Sequence, residues 1–243
     1  MSNSLLITGG AGFIGANFVR YWREKYPNDQ VIVLDALTYA GNKSNLKIFL
    51  NQEKFEFVHG SICDKKLVDQ VFENYRINRV VHFAAESHVD RSIKGPDDFI
   101  NTNILGTYTL LKSAYSNWSN RGISNHLFHH VSTDEVYGSL GEEGYFYETT
   151  AYDPRSPYSA SKAASDHLVS AWHATYNLPV LITNCSNNYG PRQYLEKFIP
   201  TIISQLKNGK KVPVYGDGLN IRDWIYVDDH IDAIFSLHEL SLI

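Results

Sequence analysis

The sequence is poor in cysteine and lacks long apolar runs. Its two cysteines, Cys63 and Cys185, are far apart, each in or beside an apolar run where a small buried thiol is common. A disulfide is therefore not expected, and a reducing cytoplasm fits. No apolar stretch approaches the length that spans a membrane, and the first residues lack the features of a secretion signal. We expect a cytoplasmic protein without a membrane segment.

Basic clusters are also missing. No run of lysine or arginine exceeds two residues, and the formal net charge is −4. Because binding to a phosphate backbone needs a basic patch, we expect no nucleic acid partner. The histidines His126, His129 and His130 lie on a predicted strand, where neighbouring side chains point to opposite faces. We therefore expect no metal site.

Short β-branched apolar runs alternate with longer helical patterns, which is typical of parallel βαβ units. The predicted strands are Leu5–Thr8, Val31–Asp35, Phe55–His59, Val80–Ala84, Leu127–Ser132 and Pro179–Asn184. The predicted helices are Phe13–Tyr26, Lys66–Tyr75, Asp97–Asn117 and Ser159–Tyr176. The pattern indicates an α/β fold: a Rossmann-like, doubly wound parallel sheet with helices on both faces.

The pattern changes after about Tyr189, where turn-rich sequence surrounds one predicted helix near Glu196–Lys207. We predict a dinucleotide-binding domain over residues 1–188 and a smaller, partial lobe for the substrate over 189–243. Residues 220–240 of that lobe are expected to pack back on the first domain.

A glycine-rich segment follows the first predicted strand and opens the first predicted helix. Gly9, Gly12 and Gly15 have the spacing Gly-x-x-Gly-x-x-Gly, which lets the backbone approach a pyrophosphate at the positive end of a helix. Asp35 ends the second strand 20 residues after Gly15, where a carboxylate accepts hydrogen bonds from ribose hydroxyls. Such a carboxylate repels a 2′-phosphate, so the sequence favours NAD over NADP as the cofactor.

Tyr158 and Lys162 are four residues apart and therefore share one face of a predicted helix. Taken alone, this spacing is more common in an amphipathic helix with a packed Tyr and a solvated Lys. Beside a dinucleotide site, a cation near the phenol favours the phenolate, so Tyr158 becomes able to take a proton from a hydroxyl.

Thr133, Asp134 and Glu135 end the apolar run that forms the fifth strand. Two solvated acids at a strand end are the ordinary interpretation. Two carboxyls so close also tend to separate their pKa values, which lets one act as an acid and the other as a base. With Tyr158 and Lys162 in the same chain, we interpret all five residues as catalytic.

The order of these motifs resembles the extended short-chain dehydrogenase/reductase family, and the resemblance covers nearly the whole chain. The specific segments are Leu34–Asn42, Ala84–Arg91 and Ser132–Gly138, which are similar to those of the branch that dehydrates nucleotide sugars. The resemblance implies an NAD site formed by Gly9, Gly12, Phe13, Ile14, Gly15, Asp35, Thr38, Ser61, Ile62, Phe83, Ala84, Ala85, Ser87, Thr102, Tyr158, Lys162 and Asn188. It implies a substrate site formed by Ser87, Thr133, Asn187, Lys197, Phe198, Pro213, Tyr215 and Arg222.

The resemblance also implies the reaction, a dehydration of dTDP-glucose to dTDP-4-keto-6-deoxyglucose. Hydride passes from the hexose C4 to NAD while Tyr158 accepts the hydroxyl proton. The ketone acidifies the C5 proton, which Glu135 removes, and Asp134 protonates the departing C6 hydroxyl. Water is lost, and hydride then returns to C6 while a proton returns to C5, so that NAD is a cofactor and is not consumed.

Two alternatives stay open. One is a dehydratase or epimerase of the same family that acts on a UDP- or GDP-hexose. The other is a non-catalytic NAD-binding fragment, because Ser61 stands where the family usually has an acidic residue, and because family members continue past the helix that begins near Asp228. Ser61 is expected to weaken the retention of NAD. Family members usually dimerise, so we expect a homodimer formed through Asp97–Asn117 and Ser159–Tyr176.

Overall fold

The computed structural model describes residues 3–141, 143–214 and 217–240. Its six-stranded sheet is entirely parallel and has the order β3-β2-β1-β4-β5-β6. These strands are β1 Ser4–Thr8, β2 Gln30–Asp35, β3 Phe55–His59, β4 Arg79–His82, β5 Leu127–Thr133 and β6 Val180–Cys185. The doubly wound fold expected from the sequence is confirmed, with strand boundaries shifted by one or two residues.

Helices cover both faces of the sheet. They are α1 Phe13–Lys25, α2 Lys65–Tyr75, α3 Val89–Lys94, the short turn α4 Asp97–Phe99, α5 Thr107–Ser119, α6 Pro157–Tyr176, α7 Phe198–Lys207 and α8 Val227–Leu240. A second, two-stranded parallel sheet is formed by β7 Asn187–Tyr189 and β8 Trp224–Tyr226. Within the described ranges, no helix is both long and apolar enough to cross a membrane.

Alternating side chains of the central strands build two separate cores. Leu5 and Ile7 of β1 pack on one face with residues of α1 and α8, whereas Leu6 packs on the other face with residues of α2, α5 and α6. Successive side chains of a strand point to opposite faces, so a strand covered on both sides is apolar throughout. The two layers of helices hold the sheet rigid beneath the loops at its carboxyl edge.

The long helix predicted over Asp97–Asn117 is interrupted. A π-helical segment, Ile100–Gly106, separates α4 from α5. Within it, Asn103 donates to the carbonyl of Glu86 at 3.0 Å and to the hydroxyl of Ser161 at 2.8 Å. These contacts join the segment to the loop after β4 and to α6, which a regular helical periodicity does not reveal.

α8 packs against α1. Phe235 lies with its ring centre 5.3 Å from that of Tyr21 and 5.6 Å from that of Trp22, and Ile231 and Ile234 are buried in the same core. By contrast, α7 has no buried residue, and it begins at Phe198, later than the predicted Glu196. The division of the chain at residue 188 stays a prediction.

Candidate active site

A cleft of about 420 Å³ opens at the carboxyl edge of the sheet. The order of the strands reverses between β1 and β4, and ligands of doubly wound sheets bind at such a point. Every residue that the sequence assigned to the NAD site lines this cleft. Their binding role stays a prediction, but the fold brings all of them together.

The backbone of the glycine segment, Gly9 to Gly15, lies so close to neighbouring backbone atoms that side chains do not fit at Gly9 and Gly15. Gly9 has a φ of +70°, and a Cβ at this position would lie 2.6 Å from the backbone nitrogen of Ala84. At Gly15, a Cβ would lie 2.4 Å from the carbonyl oxygen of Gly9. α1 begins at Phe13, and Phe13, Ile14 and Gly15 of its first turn line the cleft. The amino end of a helix, with its N–H groups not used within the helix, suits a pyrophosphate. The segment therefore fits the phosphates of a dinucleotide.

Asp35 ends β2 and is buried. Its carboxylate accepts from the backbone N–H of Ala11 at 2.9 Å and from that of Leu37 at 2.8 Å. Burial raises its pKa, and the two backbone N–H groups act in the opposite direction. The bond to Ala11 ties Asp35 to the glycine segment, a structural role that the sequence analysis missed. The carboxylate also lines the cleft, where it has lone pairs left for a ribose.

Tyr158 and Lys162 lie in the first turns of α6, which starts with a capping box between Ser156 and Ser159. Both reach the cleft, and Tyr158 is 8 % exposed. Lys162 donates to the carbonyl oxygen of Val131 at 3.0 Å and approaches Nε2 of His130 at 3.4 Å. Burial lowers the pKa of Lys162, and the charge of Asp166 raises it.

The electrostatics of Tyr158 differ from the expectation. We expected a nearby cation to favour the phenolate, but burial and then the charge of Glu135 raise the pKa of Tyr158 well above its usual value. A hydrogen bond with Thr133 acts in the opposite direction. The difference arises because Lys162 points to the carbonyl of β5, and its charge is not among the main influences on the phenol.

Thr133 ends β5 and caps the 3₁₀ turn Asp134–Tyr137. Its hydroxyl donates to Asp134 at 3.2 Å and accepts from the backbone N–H of Glu135 at 3.3 Å. The two acids then diverge: Glu135 lines the cleft, whereas Asp134 lines only a second, wider groove that Glu135 also reaches. Glu135 therefore stands at the border between the two cavities.

Burial is the largest influence on both acids and raises both pKa values. Their surroundings otherwise differ. The charge of Asp134 also raises the pKa of Glu135, while the charges of Arg222 and Lys197 lower it. A hydrogen bond from Thr133 lowers the pKa of Asp134, and the charge of Asp223 raises it. Both carboxyls are thus shifted towards the protonated form, and the assignment of Glu135 as base and Asp134 as acid stays a prediction.

The residues assigned to the substrate are only partly brought together. Ser87, Thr133, Asn187, Lys197 and Phe198 line the cleft, and Arg222 lines the wider groove. Lys197 donates to the carbonyl of Ser87 at 3.2 Å, and burial lowers its pKa. Pro213 is exposed and lines neither cavity, and its role in binding the substrate stays a prediction. Tyr215 lies outside the described residues.

One contact across the cleft rim had no sequence signal. Arg91 of α3 pairs with the carboxylate of Glu196 at 2.8 and 2.9 Å, and its guanidinium lies 3.9 Å from the ring centre of Tyr39. Tyr39 in turn meets the ring of Tyr194 at 5.8 Å. The segments that follow β2, β4 and β7 meet here. Their contact depends on the three-dimensional fold and could not be predicted from any one segment.

This fold and this cleft define a dinucleotide-dependent enzyme with the Tyr and Lys pair of the short-chain dehydrogenases/reductases. Comparison with known sequences gives a narrower result. The profile of the family described as GDP-mannose 4,6 dehydratase matches residues 6–240, and the chain belongs to that family.

The chain is 52 % identical over 242 residues to the dTDP-glucose 4,6-dehydratase of Salmonella typhimurium, which covers 95 % of the chain and 67 % of the relative. A solved dTDP-glucose 4,6-dehydratase from Streptomyces venezuelae, with NAD bound, is 49 % identical, with a TM-score of 0.88 over 95 % of this chain and 70 % of that one. A UDP-glucose 4-epimerase from Thermotoga maritima has a TM-score of 0.84 at 30 % identity, over 95 % and 71 %.

The chain spans about two thirds of the length of the curated relatives it matches. The expected family and the expected cofactor are confirmed by these comparisons.

Proposed function

We propose that this chain dehydrates dTDP-glucose to dTDP-4-keto-6-deoxyglucose with NAD as its cofactor. The observation that carries the proposal is the convergence of Tyr158, Lys162, Thr133 and Glu135 on the cleft that holds the glycine segment. Asp134, the next residue, opens on the adjoining groove. The names of the relatives support the same substrate.

NAD, when bound, supplies the chemistry of taking a hydride from the hexose C4 and giving it back later at C6. The glycine segment and Asp35 hold the dinucleotide, and the buried wall of the cleft keeps water away from the reacting carbon. Tyr158 must act as its phenolate, a form that the positive charge of bound NAD would favour against the burial and the charge of Glu135, which raise its pKa. The phenolate oxygen takes the proton of the C4 hydroxyl, and a hydrogen bond with Thr133 also lowers the pKa of Tyr158.

Glu135 removes the C5 proton once C4 is a ketone, because the carbanion delocalises onto the carbonyl oxygen. Lys197 and Arg222 favour its carboxylate form. Asp134 gives a proton to the leaving C6 hydroxyl, which departs as water, and a proton returns to C5 when the hydride is given back at C6. Asp134 sits in the groove next to the cleft, so the proposal places C6 of the hexose at the border between the two cavities.

The test is to incubate the purified chain with dTDP-glucose and NAD and to analyse the product by NMR. We expect a 4-keto-6-deoxy sugar. Tyr158→Phe is expected to abolish its formation, while Tyr75→Phe, which changes a residue of α2 that lines neither cavity, leaves it intact. An epimer that keeps its 6-hydroxyl contradicts dehydration. Binding of NAD without any turnover favours the non-catalytic alternative.

Which nucleotide base and which hexose the enzyme prefers is tested by comparing substrates. UDP-glucose and GDP-mannose are tested beside dTDP-glucose under the same conditions, because the family contains enzymes for other nucleotide sugars. We expect the highest kcat/KM with dTDP-glucose. A higher kcat/KM with either competitor refutes the dTDP assignment but leaves the chemistry in place.

We also propose a homodimer in the cytoplasm. Leu105 and Tyr108 expose apolar surface beside α5, and Tyr176 does so at the end of α6. Exposed apolar side chains on two neighbouring helices suit a four-helix contact between two copies. A mass measurement in solution tests it, and a monomer at every concentration contradicts it.

A further inference from the structure

Asp166 is a buried carboxylate that the reaction described above does not use. It lies on α6 four residues after Lys162 and eight after Tyr158, so the three side chains share one face of the helix. Its side chain is 1 % exposed. A carboxylate this deeply buried is retained only where hydrogen bonds and an opposite charge offset its lost hydration.

Hydrogen bonds from three different segments converge on one oxygen of Asp166. Its Oδ2 accepts from the hydroxyl of Ser132 at 2.8 Å, from that of Tyr152 at 3.0 Å and from the amide of Asn184 at 3.3 Å. The amide of Asn184 also donates to the carbonyl oxygen of Thr133 at 3.1 Å. Asp166 thus ties α6 to the end of β5, where the catalytic residues begin.

The other oxygen faces the surroundings of Lys162. Oδ1 of Asp166 lies 3.1 Å from Nε2 of His130, and the same nitrogen lies 3.4 Å from the ammonium nitrogen of Lys162. The charges of Lys162 and Asp166 therefore act on each other through a single buried imidazole. Each lowers the energy of the other's charged form, since both are shielded from water.

The other titratable groups around Lys162 carry no charge near neutral pH. Burial lowers the pKa of His130 to about 4 and raises that of the Cys185 thiol to about 12. Burial also lowers the pKa of His82, which stacks on His130 at 5.1 Å, and raises that of Tyr158. Asp166 is left as the ionised partner of Lys162 in the described part of the chain.

We propose that Asp166 is a positioning residue: its buried carboxylate keeps Lys162 an ammonium ion and fixes the strand end that carries Thr133, Asp134 and Glu135. The charge state of Lys162 does not depend on the proposed function, and only the effect of Asp166 on catalysis rests on it. Lys162 lines the cleft together with Tyr158 whereas Asp166 does not, so Asp166 acts on the site through Lys162 and does not touch the substrate.

The test is a titration of Lys162 by NMR in protein labelled with ¹³C in its lysines, the Lys162 signal being identified by its loss in Lys162→Met. In Asp166→Asn we expect the pKa of Lys162 to fall by about one unit or more, because an opposite charge has been removed. Asp166→Glu restores the charge and returns the pKa towards the original value. Asp69→Asn, which removes a carboxylate that pairs with Lys65 on α2, is the matched control and leaves Lys162 unchanged. An equal pKa of Lys162 in Asp166→Asn and in the unmodified chain overturns the proposal.

The reverse experiment covers the case in which Asp166→Asn does not fold. The coupling of two charges is mutual, so Lys162→Met raises the pKa of Asp166, followed in protein labelled with ¹³C in its aspartates. Lys65→Met is its control. An Asp166 pKa that is insensitive to Lys162→Met overturns the proposal as well.

A further readout applies to active preparations. Loss of the negative charge of Asp166 favours proton release from Lys162, so the limb of the pH profile of kcat/KM that reports Lys162 moves to lower pH in Asp166→Asn, by about one unit. A purely structural role would lower the profile without moving it, which contradicts the proposal. The NMR titrations need no turnover, so a failure of this inference is distinguishable from a failure of the proposed dehydration.

Discussion

Replacing Gly15 by alanine tests how the glycine segment is built. The added Cβ would lie 2.4 Å from the carbonyl oxygen of Gly9 and 2.9 Å from the Cα of Gly10. Ordinary contact begins near 3.4 Å, so the segment must retreat from α1 by almost 1 Å. Both opposing atoms belong to the backbone, which cannot turn aside as the end of a flexible side chain does.

The expected size of the effect follows from that clash. Overpacking of a tight site costs about 1–3 kcal/mol. When NAD binding forces the segment back to its original shape, this free energy weakens binding. NAD affinity then falls by roughly 5- to 150-fold, at about 1.4 kcal/mol for each factor of ten. Where the clash already strains the free protein, part of the same free energy lowers its thermal stability.

The assay is a calorimetric titration with NAD, together with a thermal melt of the same preparation. Gly95→Ala is the matched control, because a Cβ at Gly95 meets no atom within 4 Å. We expect that control to bind NAD as the unmodified chain does. An NAD affinity of Gly15→Ala within about twofold of the unmodified chain, with an unchanged melt, would refute the reasoning.

Three further predictions concern single groups. Asp35→Asn leaves one of its two backbone N–H partners without an acceptor, so NAD should bind about tenfold or more weakly. It also removes the charge that repels a 2′-phosphate, so titrations with both cofactors should show a smaller ratio of NAD affinity to NADP affinity. Glu135→Gln should slow water loss by about 100-fold or more while oxidation at C4 persists, and Glu73→Gln, an exposed acid of α2 that lines neither cavity, should change neither; equal rates of product formation in both variants would contradict the assignment. His130 and His238 have pKa values lowered from 6.5 to about 4 and about 3, so the unfolded chain binds more protons below pH 6.5. Each histidine should therefore cost about 1.2 kcal/mol of stability at pH 5.5 relative to pH 7, and a urea midpoint that does not change between these pH values would be inconsistent with neutral buried rings.

Local motifs predicted much of the site because their meaning is contained in a few residues. The segment from Gly9 to Gly15 requires a strand before it and a helix after it, and both are present. Tyr158 and Lys162 needed only the helical repeat to be placed on one face. In each case the physical requirement acts over a short stretch of chain.

Features made by distant segments escaped prediction. The strand expected to reach Ala84 stops at His82, since the N–H of Ala84 donates to the side chain of Thr8 in β1 at 3.3 Å and not to a backbone carbonyl of that strand. The convergence of Ser132 and Asn184 on Asp166 depends on how β5 and β6 pair. No local pattern distinguishes such an aspartate from a solvated one on a helix surface.

The separation of the acid pair was also beyond the sequence. Asp134 and Glu135 are neighbours, yet the 3₁₀ turn that Thr133 caps directs only Glu135 to the cleft. Their environments follow from Lys197, Arg222 and other residues far along the chain. The acid pair itself could be identified from the sequence. Which of the two is the base and which is the acid depends on the fold.

The most direct test of the central claim follows the hydrogen of the hexose C4. dTDP-glucose with deuterium at C4 is converted by the chain in the presence of NAD, and the product is examined by NMR. The account predicts that the deuterium moves to the C6 methyl group of a 4-keto-6-deoxy sugar. Deuterium retained at C4 of a hexose that still carries its 6-hydroxyl would contradict it.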